Sequence, residues 1–285
     1  MALTTSEVRV VDLRRESVDE VIERVEDSFR GSLERESIVR KRRTVGARTD
    51  RGTWVRIERR DLVRISQQGW DGTERAALLE GVEQPYWHGG MVWRDASAPA
   101  MWRADEMALL PGEPVGTAVV AEAPELSHVW WGALNRSLDA LAGQSTRRLA
   151  TPDTKMVTQD LVSESIRKAF GSGVDATVER WVPAHGDLNW ANVTAPEFCL
   201  FDWEDWGNAP RGLDAASLWG SSLAVPDLAD RVLRERREDF ESRDGKLMTL
   251  FVCAKILGPG AHPEDPRLEP ARRTAERIVA ELQKG

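Results

Sequence analysis

The sequence predicts an α+β fold with a sheet-bearing N-terminal part and a larger, mostly helical C-terminal part. Three observations lead there. From Ile38 to Arg60 apolar and polar residues alternate around a Thr49-Asp50-Arg51-Gly52 turn, the period of paired antiparallel strands. Beyond Gly116 the apolar spacing lengthens to three or four residues, which places one face of a helix toward a core. Between these patterns and the C-terminus, His185 to Asn192 is a polar loop, and it is followed by an apolar run, Cys199-Leu200-Phe201, that ends on Asp202.

Taken in order, residues 17–29 predict a helix in which Ser17 caps the end, Glu20 stands three positions on, and Val18, Ile22, Val25 and Phe29 share a face, with Gly31 as the stop. The hairpin of 38–60 follows. A second helix is expected over Thr73–Glu80, and 81–104, with Pro85, Trp87, Trp93, Pro99 and Trp102 in short apolar pieces, supplies the remaining strands of a small sheet. Ser127 caps a helix through Leu141, built on Val129, Trp130, Leu134, Leu138 and Leu141. Thr154–Phe170 reads as another, ended by Gly171-Ser172-Gly173. Trp181–Ala184 is short and extended. Helical patterns then return around Leu228–Leu233, Leu247–Leu257 and Pro270–Gln283. No internal repeat or low-complexity linker marks a separable domain across residues 1–180.

Composition excludes several classes of function. The N-terminal residues lack the apolar run of a signal peptide, and no segment approaches the roughly 20 apolar residues of a membrane span, so a soluble cytoplasmic protein without a membrane partner is expected. The two cysteines, Cys199 and Cys253, sit in apolar stretches without metal-ligand spacing and read as buried, reduced thiols. A net charge of −8 argues against nucleic acid as a partner. That charge is uneven: residues 40–64 carry ten Lys or Arg against three acids, a local balance of +7, which leaves −15 for the remainder. Such an asymmetry suits a basic segment facing phosphates and an acidic one facing a cation; the other reading is a set of solvated faces.

The stretch that carries chemistry is His185-Gly186-Asp187-Leu188-Asn189-Trp190-Ala191-Asn192, with Asp202 ten residues beyond Asn192. Phosphoryl transfer needs a carboxylate beside the attacking hydroxyl, and an amide oxygen with a second carboxylate to hold magnesium against nucleotide phosphates. Asp187, Asn192 and Asp202 match that set in residue type and spacing. With His-Gly-Asp-Leu-x-x-x-Asn followed by Asp202-Trp203, and without the Arg and Phe-Gly of protein kinases, the segment 181–219 resembles the aminoglycoside phosphotransferase and choline kinase family of small-molecule kinases.

The resemblance implies a bilobal, protein-kinase-like fold, with residues 1–112 as an N-lobe bearing an antiparallel sheet and 113–285 as a helical C-lobe. It implies ATP or GTP as co-substrate with Mg²⁺, and a small-molecule hydroxyl acceptor, amine-bearing compounds such as aminoglycoside-like antibiotics leading, then amino alcohols and sugars. Asp187 would orient the acceptor; Asn192 and Asp202 would bind the metal. The family's phosphate-binding Lys is missing, and Arg56 in Trp54-Val55-Arg56-Ile57 is its best match, with Glu74, or Glu80, as the helix carboxylate. Met107–Pro114 is similar to the interlobe linker, whose backbone at Ala108 and Leu110 would meet the base. His185 is expected to shape the loop and Asp214 to buttress it, its other reading being a helix N-cap. Trp190, Trp203 and Glu204, with Trp206 and Asp205 beside them, would suit a cationic or aromatic acceptor; core packing is the other reading for each Trp. The rival to an enzyme is a non-catalytic nucleotide-binding regulator, which would have no use for a base and two metal ligands in register. A basic-hairpin nucleic-acid binder is disfavoured by the acidic remainder.

Overall fold

A computed structural model describes residues 11–65, 68–152 and 155–284. The chain divides into two compact units, the first running to Gln67 and resuming over Pro85–Leu109, the second formed by Gln68–Gln84 and Leu110–Gly285. The fold is α+β and bilobal. One stretch departs from the expected division at 112: residues 68–84, read as part of the N-terminal portion, group with the second unit, because Ala76 is buried in that unit's core.

In the first unit, α1 (Asp19–Phe29) precedes β1 (Val39–Arg40), β2 (Thr44–Arg48), β3 (Thr53–Asp61), the short α2 (Leu62–Ile65), β4 (Trp87–Arg94) and β5 (Ala100–Ala108). The sheet order is β1-β2-β3-β5-β4, every neighbour antiparallel. The predicted turn closes β2 onto β3, with Gly52 at φ 72°, a conformation that side chains disfavour. Register then sets Val45, Ala47, Val55, Ile57 and Ala104 on one face, where they share a core with Ile22 and Val25 of α1. Parity puts Glu58, Arg60, Arg103 and Asp105 on the opposite face. These charges are buried in pairs, Arg60 Nε on Glu58 Oε1 and Arg103 Nε on Asp105 Oδ2, each at 2.6 Å. Two details of α1 differ from expectation. Val18 occupies the cap position while Ser17 Oγ bonds Asp19 Oδ2, and the left-handed stop is Arg30, one residue before Gly31.

The second unit contains α3 (Gly72–Ala76), β6 (Glu113–Pro114), α4 (His128–Ala142), α5 (Gln159–Phe170), β7 (Trp181–Ala184), β8 (Thr194–Ala195), β9 (Gly207–Pro210), α6 (Leu213–Ser222), α7 (Pro226–Glu235), α8 (Arg237–Glu241), α9 (Arg243–Ile256) and α10 (Leu268–Leu282). The helix expected over 73–80 stops at Ala76, and Leu78 beyond it is exposed. Ser127 caps α4 as expected, its Oγ accepting the N–H of Trp130. α5 begins after Thr158, whose Oγ1 accepts the N–H of Leu161; the expected start at Thr154 lies outside the described residues. A Cβ on Gly220 of α6 would stand 2.5 Å from Val252 Cγ1 of α9, so these helices approach as closely as a glycine allows. Cys199 and Cys253 are buried free thiols, pushed up to about 12 by burial, as the sequence suggested. Among the described residues no helix is long and apolar enough to cross a membrane.

Candidate active site

β7 and β9 pair in register Ala184↔Gly207, and the polar loop leaves the end of this ladder. Its first turn depends on Gly186, at φ 84°, where a Cβ would lie 2.7 Å from Asp205 O. The turn is pinned from below by Asp214 in the first turn of α6: Oδ2 accepts the N–H of His185 at 2.7 Å and Oδ1 that of Gly186 at 3.0 Å. Burial pushes the Asp214 carboxyl up, against the His185 ring and those two N–H groups. His185 is fully buried, and Phe201 O lies 3.0 Å from its Nε2. A carbonyl can only accept, so Nε2 carries the proton; Nδ1 is buried without a hydrogen-bond partner among the described residues.

Asn189 and Asn192 converge on Asp187. Asn189 Oδ1 accepts the N–H of Ala191, which turns its amide N–H groups to Asp187 O at 3.0 Å and Oδ1 at 3.2 Å. Asn192, closing a single 3-10 turn over Trp190–Asn192, donates to Asp187 O at 2.8 Å and Oδ2 at 3.1 Å. Both partners are acceptors, so the Asn192 amide nitrogen is chemically fixed toward Asp187 and its oxygen toward the other side. The Asp187 carboxylate reaches solvent, yet the crowded loop desolvates it. Burial, helped by the charge of Asp202, pushes its pKa up against the His185 ring and the two amides.

Asp202 reaches this loop through a hairpin: Thr194 N–H bonds Cys199 O at 3.1 Å and Phe201 N–H bonds Asn192 O at 3.0 Å. The next residue is then Asp202, exposed and at φ 67°, a left-handed conformation uncommon outside glycine. The structure thus brings His185, Asp187, Asn192, Asp202 and Asp214 together. An amide oxygen and one carboxylate fit Mg²⁺, which keeps several waters and takes further oxygens from phosphates. Among the described residues no group of three or more His, Cys, Asp or Glu side chains is arranged to hold a metal, so those further oxygens would have to come from a ligand or water.

Other expected residues fall differently. Trp190 and Trp203 do not face an acceptor. Trp190 is fully buried, stacks at 6.0 Å on Trp130 and donates its Nε1–H to Ser222 Oγ at 3.0 Å; Trp203 donates to Leu200 O at 3.0 Å. Large apolar rings flanking a polar loop are driven beneath it, where they gain most by leaving water. Glu204 is half-buried, with its carbonyl accepting from Arg148 at 3.3 Å. Arg56 lies half-buried on β3, with Glu58 of its own strand at 3.8 Å. Glu74, expected to steady it, is exposed on α3 in the second unit. Ala108 ends β5 and donates its N–H to Tyr86 O at 2.8 Å, so that N–H is already taken; Leu110 opens the long segment of the second unit.

Three participants carried little or no signal in the sequence. Asn189 was legible only as a residue able to cap its own turn. Asp205 stood as an alternative to Glu204, but the structure ties its Oδ1 to Thr151 Oγ1 at 2.7 Å, and burial with the charges of Asp187 and Asp202 pushes its pKa up. Thr151 itself, 54 residues away, gave no local sign.

No family model and no curated protein sequence matches the chain. Its fold does match solved structures, among them kinases of small molecules. Aminoglycoside phosphotransferase APH(4)-Ia shares 13% identity at a TM-score of 0.57, over 93% of this chain and 99% of that one. The amicoumacin kinase hAmiN, in complex with AMP-PNP, Ca²⁺ and Ami, shares 13% identity at 0.53, over 94% and 95%. A choline/ethanolamine kinase family protein from Mesorhizobium loti shares 13% at 0.50, over 94% and 99%. The likeness read from the His-Gly-Asp segment therefore extends, as a fold, over nearly the whole chain.

Proposed function

We propose that the protein is a small-molecule phosphotransferase that moves the γ-phosphoryl group of ATP or GTP to a hydroxyl of an amine-bearing acceptor such as an aminoglycoside-like antibiotic, in the cytoplasm. The observation that carries the proposal is one loop in which two asparagine amides orient the Asp187 carboxylate while a hairpin sets Asp202 beside Asn192. Asp187 accepts the hydrogen bond of the acceptor hydroxyl and aims its oxygen at the phosphorus. As the new P–O bond forms and the bond to the nucleoside diphosphate breaks, the hydroxyl proton passes late to Asp187. Asn192 and Asp202 hold Mg²⁺, which when bound neutralises charge on the phosphates. Arg56 serves the phosphates, and the backbone at Ala108 and Leu110 meets the base. Acidic Asp187, Asp202 and Asp205 in one region favour a cationic acceptor.

The test is nucleotide turnover against a panel of aminoglycosides, amino alcohols, sugars and nucleosides with MgCl₂. A positively charged acceptor is expected to stimulate turnover, and Asp187→Asn to lower kcat by about 10²–10⁴-fold, the usual contribution of a positioned base. A wild-type rate in that variant would remove Asp187 from its role, and nucleotide binding without turnover on any acceptor would favour the regulator.

A further inference from the structure

The left-handed backbone of Asp202 is a conformation that persists only where its surroundings over-determine it. The residues that follow are held from two sides. On one side Arg148 donates Nε–H to Trp206 O at 3.1 Å and Nη2–H to Glu204 O at 3.3 Å, and its guanidinium lies over the Trp206 ring at 5.3 Å. Thr151, on the same segment, bonds Asp205 through both its N–H, at 2.9 Å, and its hydroxyl. On the other side Gly72 abuts the loop so closely that a Cβ would stand 2.3 Å from Trp203 O and 2.7 Å from Glu204 O, and its own carbonyl accepts Trp206 Nε1–H at 2.9 Å. Arg148 Nη1 joins the two sides by an ion pair to Asp71, the neighbour of Gly72. Burial alone would raise the Asp71 carboxyl, but the hydrogen bond and charge of Arg148 hold it below the ordinary range, so the pair is ionic.

We propose that Arg148, clasped to Asp71, is a positioning residue for Asp202: it fixes the backbone of residues 203–206 and thereby aims the Asp202 carboxylate at the metal. This rests on reading Asp202 as a metal ligand. The planar guanidinium is suited to the task because one rigid fork serves two loop carbonyls and a carboxylate at once, which an ammonium cannot do in a fixed plane. Its charge is answered by Asp71, so Arg148 acts on the loop and not on a phosphate.

The experiment is binding of N-methylanthraniloyl-ATP, followed by fluorescence while MgCl₂ is titrated, for wild type, Arg148→Ala, Arg148→Lys and Asp71→Asn, with EDTA controls. The magnesium concentration at half-maximal binding is expected to rise about 10–100-fold in Arg148→Ala, the usual effect of losing a group that orients a metal ligand. Arg148→Lys should be intermediate, and binding in EDTA unchanged in all. An unchanged magnesium midpoint, or an equal loss of binding with and without metal, overturns the clasp. Circular dichroism and melting identify a variant that fails to fold; should Arg148→Ala do so, Asp71→Asn carries the same two outcomes. Wild-type binding that ignores magnesium overturns the metal assignment of Asp202 and the clasp together, and is distinguished by appearing without any substitution.

Discussion

Burial and neighbouring negative charge, that of Asp202 included, oppose the ionisation of Asp187 and Asp205, so the site holds unfavourable charge. Asp205→Asn keeps the oxygen that Thr151 bonds and removes one charge. Because the folded pKa of Asp205 is raised, folding favours its neutral form, and the penalty relieved by Asn exists above that raised pKa and vanishes below the ordinary carboxylate value. The variant should therefore melt about 1–4 °C higher at pH 7, on the usual relation between free energy and Tm, and no higher near pH 3. The reverse pH order would show that Asp205 is stabilising as an anion. Trp190→Ala should cost about 3–5 kcal/mol in urea unfolding, as for a buried ring, whereas Trp190→Phe should leave acceptor preference unchanged. A shift in preference with stability intact would return that ring to the acceptor.

At the scale of elements, hydrogen-bonded ends decide where segments lie. α9 shows this: Ser242 caps it, and Asp244 in its first turn accepts the N–H groups of Glu179 at 3.0 Å and Arg180 at 2.7 Å, which anchors the chain entering β7. Asp244→Ala removes both acceptors and should cost about 1–3 kcal/mol of stability, measurable by chemical denaturation, since each of these part-buried hydrogen bonds contributes about 0.5–1.5 kcal/mol. A loss under about 0.5 kcal/mol, the scale of ordinary surface substitutions, would mean that water replaces the carboxylate. In the first unit the buried Arg60–Glu58 pair behaves likewise, and Glu58→Ala leaves a guanidinium without that partner.

For the whole molecule, the proposed chemistry makes stability depend on nucleotide. A ligand at 100 times its Kd adds about 2.7 kcal/mol, so saturating Mg²⁺ and ATP should raise Tm by several degrees. Asp202→Ala is expected to abolish the magnesium-dependent part of that rise. No shift at millimolar nucleotide in the wild-type protein would remove nucleotide binding from the reading. The charge division belongs to this scale too: a basic 40–64 segment in the first unit and an acid-rich remainder are properties of the sequence that the two units inherit.

Periodicity and spacing were enough for the β2–β3 hairpin, the Ser127 cap, the α+β class and the nearness of Asp187, Asn192 and Asp202 to one another, because these depend on residues near one another in the chain. The same local rules failed where a neighbour distant in sequence decides the outcome. Glu74 was assigned to the sheet-bearing part, but burial of Ala76 carries its helix into the second unit. Trp190 and Trp203 carried two readings, acceptor-stacking surface and core, until the packing around them was known. The backbone that follows Asp202 is held by Asp71, Gly72 and Arg148, whose roles arise only when segments 77 residues apart meet. Short-range hydrogen bonding and hydrophobic period are written in the order of residues; close packing and the pairing of buried polar groups are properties of the folded arrangement, and it was these that separated site from core.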